Sequence, residues 1–231
     1  MELRCAWVTK DPEYIEYHDK QWGRPVYDAR ELFAKLCLDG QQAGLSWITI
    51  LKRTESYHRA YADFDPHRIV QFDEQDVERL MQDSGIIRNR LKVQSIIRNA
   101  RAYLALQEQG IDFADYLWGF VGGAPIVNQR QGNGDIPATS PESDAMSKAL
   151  KKLGFNFVGS TICYAFMQAV GMVNDIWSAV LATKSVKRHR VKPLCCIRFS
   201  RYTVMGVQNL APNLRSHSCL SSLFADALVV P

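Results

Sequence analysis

Up to Asp175 the apolar residues recur at spacings of three and four, with no sustained period of two, which predicts one helix after another. Asp28 with Glu31, just ahead of Leu32, Phe33 and Leu36, reads as a capping box. Asp65 before Pro66 opens another helix, and Asp73 with Asp76 a further one that Gly85 ends. The longest predicted helix runs from about Asn89 to Gln107, with Val93, Ile96, Ile97, Ala100 and Leu104 on one side and a stop at Gly110. Residues 122–139, rich in Gly, Asn, Gln and Pro, read as an exposed loop, and Ser140 with Pro141 opens a helix through Leu153. The pattern is that of an all-α protein, not a sandwich or a parallel sheet.

Two stretches carry more polar or aromatic character than packing alone requires. In LDGQQAGLSWITIL, from Leu38 to Leu51, Asp39, Gln41 and Gln42 are costly to bury without partners. A helix ending around Cys37 and restarting at Ser46, its cap, leaves this segment as a turn relaxed by Gly40 and Gly44. Such a turn beside Trp47 forms either a pocket for something flat and hydrogen-bonding or a satisfied buried network. Upstream, Trp7, Tyr14, Tyr17 and Trp22 crowd together, bracketed by Cys5 and His18. The negative face of an aromatic ring attracts positive charge, so a cationic purine fits that group. A third stretch, GFNFVGST, is a short turn between two helices whose Val158, Gly159, Ser160 and Thr161 N–H groups can aim at a phosphate.

Charge changes this picture by its distribution. The net charge of +4 hides 20 Lys or Arg against 23 Asp or Glu up to Asp175 and 8 against 1 beyond it. Contact with a polyanion would therefore have to rest on local clusters such as Arg88, Arg90, Lys92, Arg98 and Arg101, or Lys148, Lys151 and Lys152, each of which is otherwise a solvated helix face. The polar first residues and the lack of a long apolar run predict neither a signal peptide nor a membrane span, hence a cytoplasmic protein. Its six cysteines are then thiols or metal ligands rather than disulfides, with Cys37 and Cys163 on apolar faces.

Taken together, CAWVTKDPEYIEYHDKQWGRPVYD, LCLDGQQAGLSWITILK, SGIIRNRLKVQSIIRNARAY and KALKKLGFNFVGSTICYAFMQAVGMVND resemble bacterial 3-methyladenine DNA glycosylase I of the helix-hairpin-helix superfamily. The resemblance covers about residues 1–175. It implies a monomeric base-excision-repair enzyme that flips a nucleotide out of alkylated double-stranded DNA and hydrolyses the glycosidic bond of 3-methyladenine. It further implies that Tyr17 and Trp47 sandwich the base, that Trp7, Tyr14 and Trp22 shape the pocket, and that Asp39 accepts hydrogen bonds from the adenine edge. Gly44 and Leu45 fill the gap left in the duplex, and Val158–Thr161 anchor the backbone. Thr161 stands roughly where related enzymes with lyase activity carry a Schiff-base lysine, which implies hydrolysis without strand cleavage.

The chain departs from that family in two places. Asp39 replaces the usual glutamate, which puts base selectivity in doubt. The family's structural zinc takes Cys5 and His18 together with a His and a Cys near the C-terminus, yet here Asn174-Asp175 is followed by Ile176 and both ligands are missing. A single lost base before the Ile176 codon allows the shifted frame to read His-Leu-Val-Ser-Cys with the family spacing, so a frameshift accounts for residues 176–231, expected to form a divergent, poorly ordered tail. Weak or absent zinc binding and a loosened N-terminal segment are the expected consequences. The competing expectation is an inactive, non-catalytic DNA-binding remnant of the same family.

Overall fold

The computed structural model describes residues 4–128 and 136–175, all within one compact unit, Met1–Lys187. The expectations for residues 176–231 lie outside the described residues. Among the described residues ten α-helices follow in order: α1 (Pro12–Lys20), α2 (Ala29–Gln41), α3 (Trp47–Leu51), α4 (Thr54–Ala60), α5 (Pro66–Ile69), α6 (Glu74–Gln82), α7 (Arg90–Glu108), α8 (Phe113–Trp118), α9 (Pro141–Lys152) and α10 (Ser160–Ala169). The all-α expectation holds, with one addition. Within the segment read as loop, Ile126–Val127 (β1) pairs in parallel with Val173–Asn174 (β2). Two residues are too few to show an alternation, and the partner lies far along the chain.

Local chemistry sets most helix starts. Asp28 accepts the Glu31 N–H at 2.8 Å, Asp65 the His67 N–H at 3.0 Å and Asn89 the Lys92 N–H at 3.1 Å. Asp73 with Asp76, and Ser140 with Ser143, close both bonds of a capping box. Gly85 plays a different part from the predicted stop. Helix α6 ends at Gln82, and a Cβ on Gly85 would meet Ser56 Cβ at 2.8 Å, so the glycine permits close approach to α4.

Helix α2 lies at the centre, touching α7, α8 and α10. Its Leu32, Phe33 and Leu36 are fully buried with Val93, Ile96 and Ala100 of α7 and Phe166 and Met167 of α10. Full burial of each large apolar side chain stabilises by roughly 1.5–3 kcal/mol relative to exposure. The segment between α1 and α2 is strapped to the end of α10. Gly23 N–H donates to Ala169 O at 3.0 Å, Val26 N–H to Val170 O at 3.2 Å, and Trp118 Nε1 to Val26 O at 2.8 Å. At the other end of α1, Asp11 pairs with Lys52 at 2.6 Å. These ties set α1 against the mouth of α2 and α3.

Candidate active site

Helix α2 does not stop around Cys37 but continues through Leu38, Asp39 and Gly40 to Gln41, so Asp39 is a helical residue with its side chain buried. The continuation is possible because its last carbonyls are capped from a distance. Lys92 of α7, itself buried, places Nζ 2.7 Å from Gln41 O and 2.7 Å from Ala43 O. Gly40 is needed for packing rather than for turning: a Cβ there would lie 3.0 Å from Phe157 Cβ in the α9–α10 hairpin.

The true turn is Gln42–Ser46. Gly44 takes φ 75°, a conformation that strains any L side chain, and has open space around it. Gln42 Nε2 donates to Leu45 O at 2.6 Å and Leu45 N–H to Gln42 O at 2.7 Å, leaving the Leu45 side chain exposed at the tip. Ser46 stands at the cap position of α3, but its hydroxyl bonds Thr49 Oγ1 at 2.8 Å instead of a backbone N–H.

Four aromatics of the N-terminal segment meet there. Trp7 lies 5.0 Å from Tyr14, 6.3 Å from Tyr17 and 5.3 Å from Trp22 between ring centroids, and Tyr17 lies 5.5 Å from Trp47 at 43°. A base held between two parallel rings needs about 7 Å, twice a carbon contact of roughly 3.5 Å, so Tyr17 and Trp47 must part to sandwich one. Behind them Asp39 is ion-paired with Lys35, one turn earlier on α2, and the Lys35 ammonium sits 3.9 Å from the centroid of the Trp47 ring. In the sequence Lys35 carries no signal of this role, because a lysine among helical positions reads as solvated.

Polar bookkeeping singles out this wall. Among the described residues, Asp39 Oδ2 and Trp47 Nε1 are the buried side-chain polar atoms with no hydrogen-bond partner. Burial pushes the Asp39 carboxyl up and the Lys35 ammonium down, each opposed by the charge of the other. Burial also pushes the Tyr17 phenol well above its ordinary value, with the Asp39 charge adding to the effect, so Tyr17 remains a hydrogen-bond donor. An acceptor oxygen and a donor N–H stand unpartnered on an aromatic wall whose carboxylate is paired with the Lys35 ammonium. That arrangement can hold a flat group with both donors and acceptors on its edge.

Known proteins share this arrangement of sequence. The profile of the methyladenine glycosylase family matches residues 7–183. DNA-3-methyladenine glycosylase 1 of Escherichia coli (strain K12) is 56% identical over 172 residues, which cover 74% of this chain and 92% of that protein. The chain belongs to the methyladenine glycosylase family. A crystal structure of 3-methyladenine DNA glycosylase I superposes with a TM-score of 0.75 at 56% identity, covering 76% of this chain and 97% of that one. A tyrosine-to-phenylalanine variant of 3-methyladenine DNA glycosylase I in complex with 3-methyladenine matches with a TM-score of 0.73 at 38% identity, covering 76% and 94%.

Within this methyladenine glycosylase the two N-terminal metal-ligand candidates are brought together. Cys5 and His18 are both buried, and Cys5 N–H lies 3.4 Å from His18 Nε2. Asp19 Oδ1 is 2.8 Å from His18 Nδ1, a carboxylate in the place that orients metal-ligating histidines. No cluster of three His, Cys, Asp or Glu side chains fit for a metal occurs among the described residues, and the residue that follows Asp175 in the sequence is Ile176, not a metal-ligating type. These residues fit half of a tetrahedral site.

The hairpin of the methyladenine glycosylase is braced from below. Asn99 of α7, buried, accepts the Asn156 N–H at 2.7 Å and donates to Asn156 O at 3.3 Å, and Ser147 Oγ donates to Val158 O at 2.6 Å. The backbone bonds of α10 begin at Cys163 N–H to Gly159 O, so the N–H groups of Ser160, Thr161 and Ile162 carry no intrahelical bond. Thr161 is exposed while Val158 is buried. Ser160 bonds the Asp144 carboxylate and, at 2.8 Å, Ser143 Oγ.

Of the predicted basic clusters, two members serve the fold. Arg90 is paired with Glu74 and Glu78, and Lys92 is the buried cap of α2. Arg98 remains beside the hairpin, 3.5 Å from Asn156 Oδ1, and Lys148, Lys151 and Lys152 are exposed on α9.

Proposed function

We propose that this chain excises 3-methyladenine from alkylated duplex DNA by extruding the nucleotide and hydrolysing its glycosidic bond. The observation that carries this reading is the pair of unpartnered buried atoms, Asp39 Oδ2 and Trp47 Nε1, on the wall shared by Tyr17 and Trp47. An adenine edge offers the amino donor for the first and ring-nitrogen acceptors for the second.

The chemistry asks little of a general acid. Methylation at N3 makes the base cationic, so the bond is already weakened and the base leaves neutral. The chain must supply a place for the extruded base, a carboxylate oxygen to accept a donor on its edge, and exclusion of the duplex from the gap. Asp39 and the aromatic wall serve the first two. Leu45, at the tip of a turn fixed by Gln42 and Gly44, serves the third. The hairpin of Val158, Gly159, Ser160 and Thr161 holds the phosphates through the N–H groups at the start of α10, with Arg98 and the α9 lysines nearby, while the buried Val158 side chain anchors the turn to the core. Thr161 offers no amine for a Schiff base, so the strand is left intact.

The protein acts as a monomer in the cytoplasm on this reading. Among the described residues no helix is long and apolar enough to cross a membrane. Zinc is held weakly or not at all, because Cys5 and His18 supply two of four ligands. Metal analysis showing one tightly held zinc per chain would overturn that part. The decisive experiment is release of 3-methyladenine from methylated duplex DNA by the purified chain. Release supports the enzyme, whereas DNA binding with no release supports the remnant reading, which the absent metal ligands favour.

A further inference from the structure

Lys35 stands where the reading above puts a positive charge. Its ammonium is paired with Asp39 and lies over the face of Trp47, 3.9 Å from the ring centroid. The side chains of Lys35 and Asp39 are 17% and 6% exposed. A methylated purine would gain three things in this pocket: an aromatic face, a carboxylate and shelter from water. The chain's own lysine already takes all three. The pairing leaves Asp39 Oδ2 open, so the carboxylate keeps one oxygen for a donor on a base even while Lys35 is in place.

We propose that Lys35 is a specificity-determining residue that occupies the cation subsite of the base pocket, so that the pocket is electrically neutral at rest and selects its base by shape and hydrogen bonding more than by charge. This rests on the pocket reading of Asp39 and Trp47. Two groups must then move to admit a base. The ammonium leaves the Trp47 face, which its flexible four-carbon stem permits, and the Tyr17 and Trp47 rings part from their 5.5 Å contact. A cationic base competes with Lys35 for Asp39 and gains little from its charge. A neutral base competes only for space. With the lysine charge removed, the buried carboxylate would be uncompensated and would favour a cation strongly.

The test compares two free ligands by calorimetry on the full chain near neutral pH: 3-methyladenine, which is neutral, and 3,9-dimethyladeninium, which keeps its positive charge. The wild-type chain is expected to bind them within about threefold of each other, and Lys35→Met to shift the ratio toward the cation by about tenfold or more. Lys35→Arg, which keeps the charge, is expected to leave the ratio near the wild-type value. A merely structural role for Lys35 would weaken both ligands alike and leave the ratio unmoved. An unmoved ratio in Lys35→Met, or a wild-type preference for the cation above about tenfold, overturns the proposal, the second without needing any variant to fold. Asp39→Asn separates the two layers. If it shifts the ratio against the cation while Lys35→Met does nothing, only the role of Lys35 falls. If it changes the binding of neither ligand, the pocket reading falls and the proposal with it.

Discussion

Asp39 and Gln41 lie two residues apart on α2, 4% and 1% exposed, and they have opposite relations to their surroundings. Both ends of the Gln41 carboxamide are used. Its Oε1 accepts from Tyr57 OH at 3.2 Å, and its Nε2 donates to Lys92 O at 3.1 Å and Ser95 Oγ at 3.3 Å. Tyr57 OH in turn accepts the Ile87 N–H at 3.1 Å, so the network joins α2, α4 and α7 without a loose end. Asp39 faces the aromatic wall with one oxygen on Lys35 and the other on nothing. A buried polar group that is satisfied holds a fold together, and one that is not is kept for a ligand. The LDGQQ segment contains both, on opposite faces of one helical turn.

The largest expected effect lies on the unsatisfied side. Asp39→Asn should lower excision of 3-methyladenine by about 10²-fold or more, the scale of removing one electrostatic contact to a charge-bearing transition state. Asp39→Glu should preserve or improve it, since the charge is kept and the reach extended. Excision assays with denaturation curves for each variant check this, and unchanged excision in Asp39→Asn removes Asp39 from the pocket. On the satisfied side the effect should appear in stability. Gln41→Leu leaves Tyr57 OH without an acceptor and removes the carboxamide bonds to Lys92 O and Ser95 Oγ, which should cost about 2–4 kcal/mol in chemical denaturation. Its affinity for free base should stay within about twofold, because the network does not face the wall. A drop in affinity equal to that of Asp39→Asn would erase the contrast between the two residues.

Lys92 tests whether the scaffold reaches the DNA-facing turn. Its ammonium holds Gln41 O and Ala43 O, at the base of the turn that presents Leu45. Lys92→Met should lose about 1–3 kcal/mol of stability. It should also reduce excision from duplex DNA more than from single-stranded DNA, since only a duplex leaves a gap to fill. Equal reductions on both substrates would confine Lys92 to the fold.

How much of this was legible follows from how far each determinant lies along the chain. Caps at Asp28, Asp65, Asp73, Asn89 and Ser140 are decided within three residues, and the sequence shows them. The crowding of Trp7, Tyr14, Tyr17 and Trp22 is local as well, and the structure assembles all four. The end of α2 was misplaced because its cap, Lys92, is 51 residues away. For the same reason Lys92 and Arg90 read as phosphate contacts or solvated faces when their partners are a helix end and two glutamates. Lys35 is invisible for a subtler reason: nothing in a helical pattern separates a lysine in water from one laid over an indole of the next helix. The β1–β2 pair had no periodic signal at all.

The smallest effect should come from the two thiols that line the scaffold. Burial pushes Cys37 up to about 12, against a weak opposing contact from Asn99 Nδ2 at 3.7 Å from its sulfur. Cys163, also buried, is pushed up to about 12. Near pH 8 the thiolate fraction of such groups is roughly 10⁻⁴, too little for iodoacetamide to find in the native state. Peptide mass spectrometry after a native pulse should therefore leave both unlabelled, and a pulse in denaturant should label both. The reading turns on rigidity as well as on acidity. Cys37 sits on α2 between Lys35 and Asp39, so native labelling there would mean that α2 lifts from α7 on its own. The scaffold would then be no stiffer than the pocket, and the contrast between Gln41 and Asp39 would be one of hydrogen bonding alone.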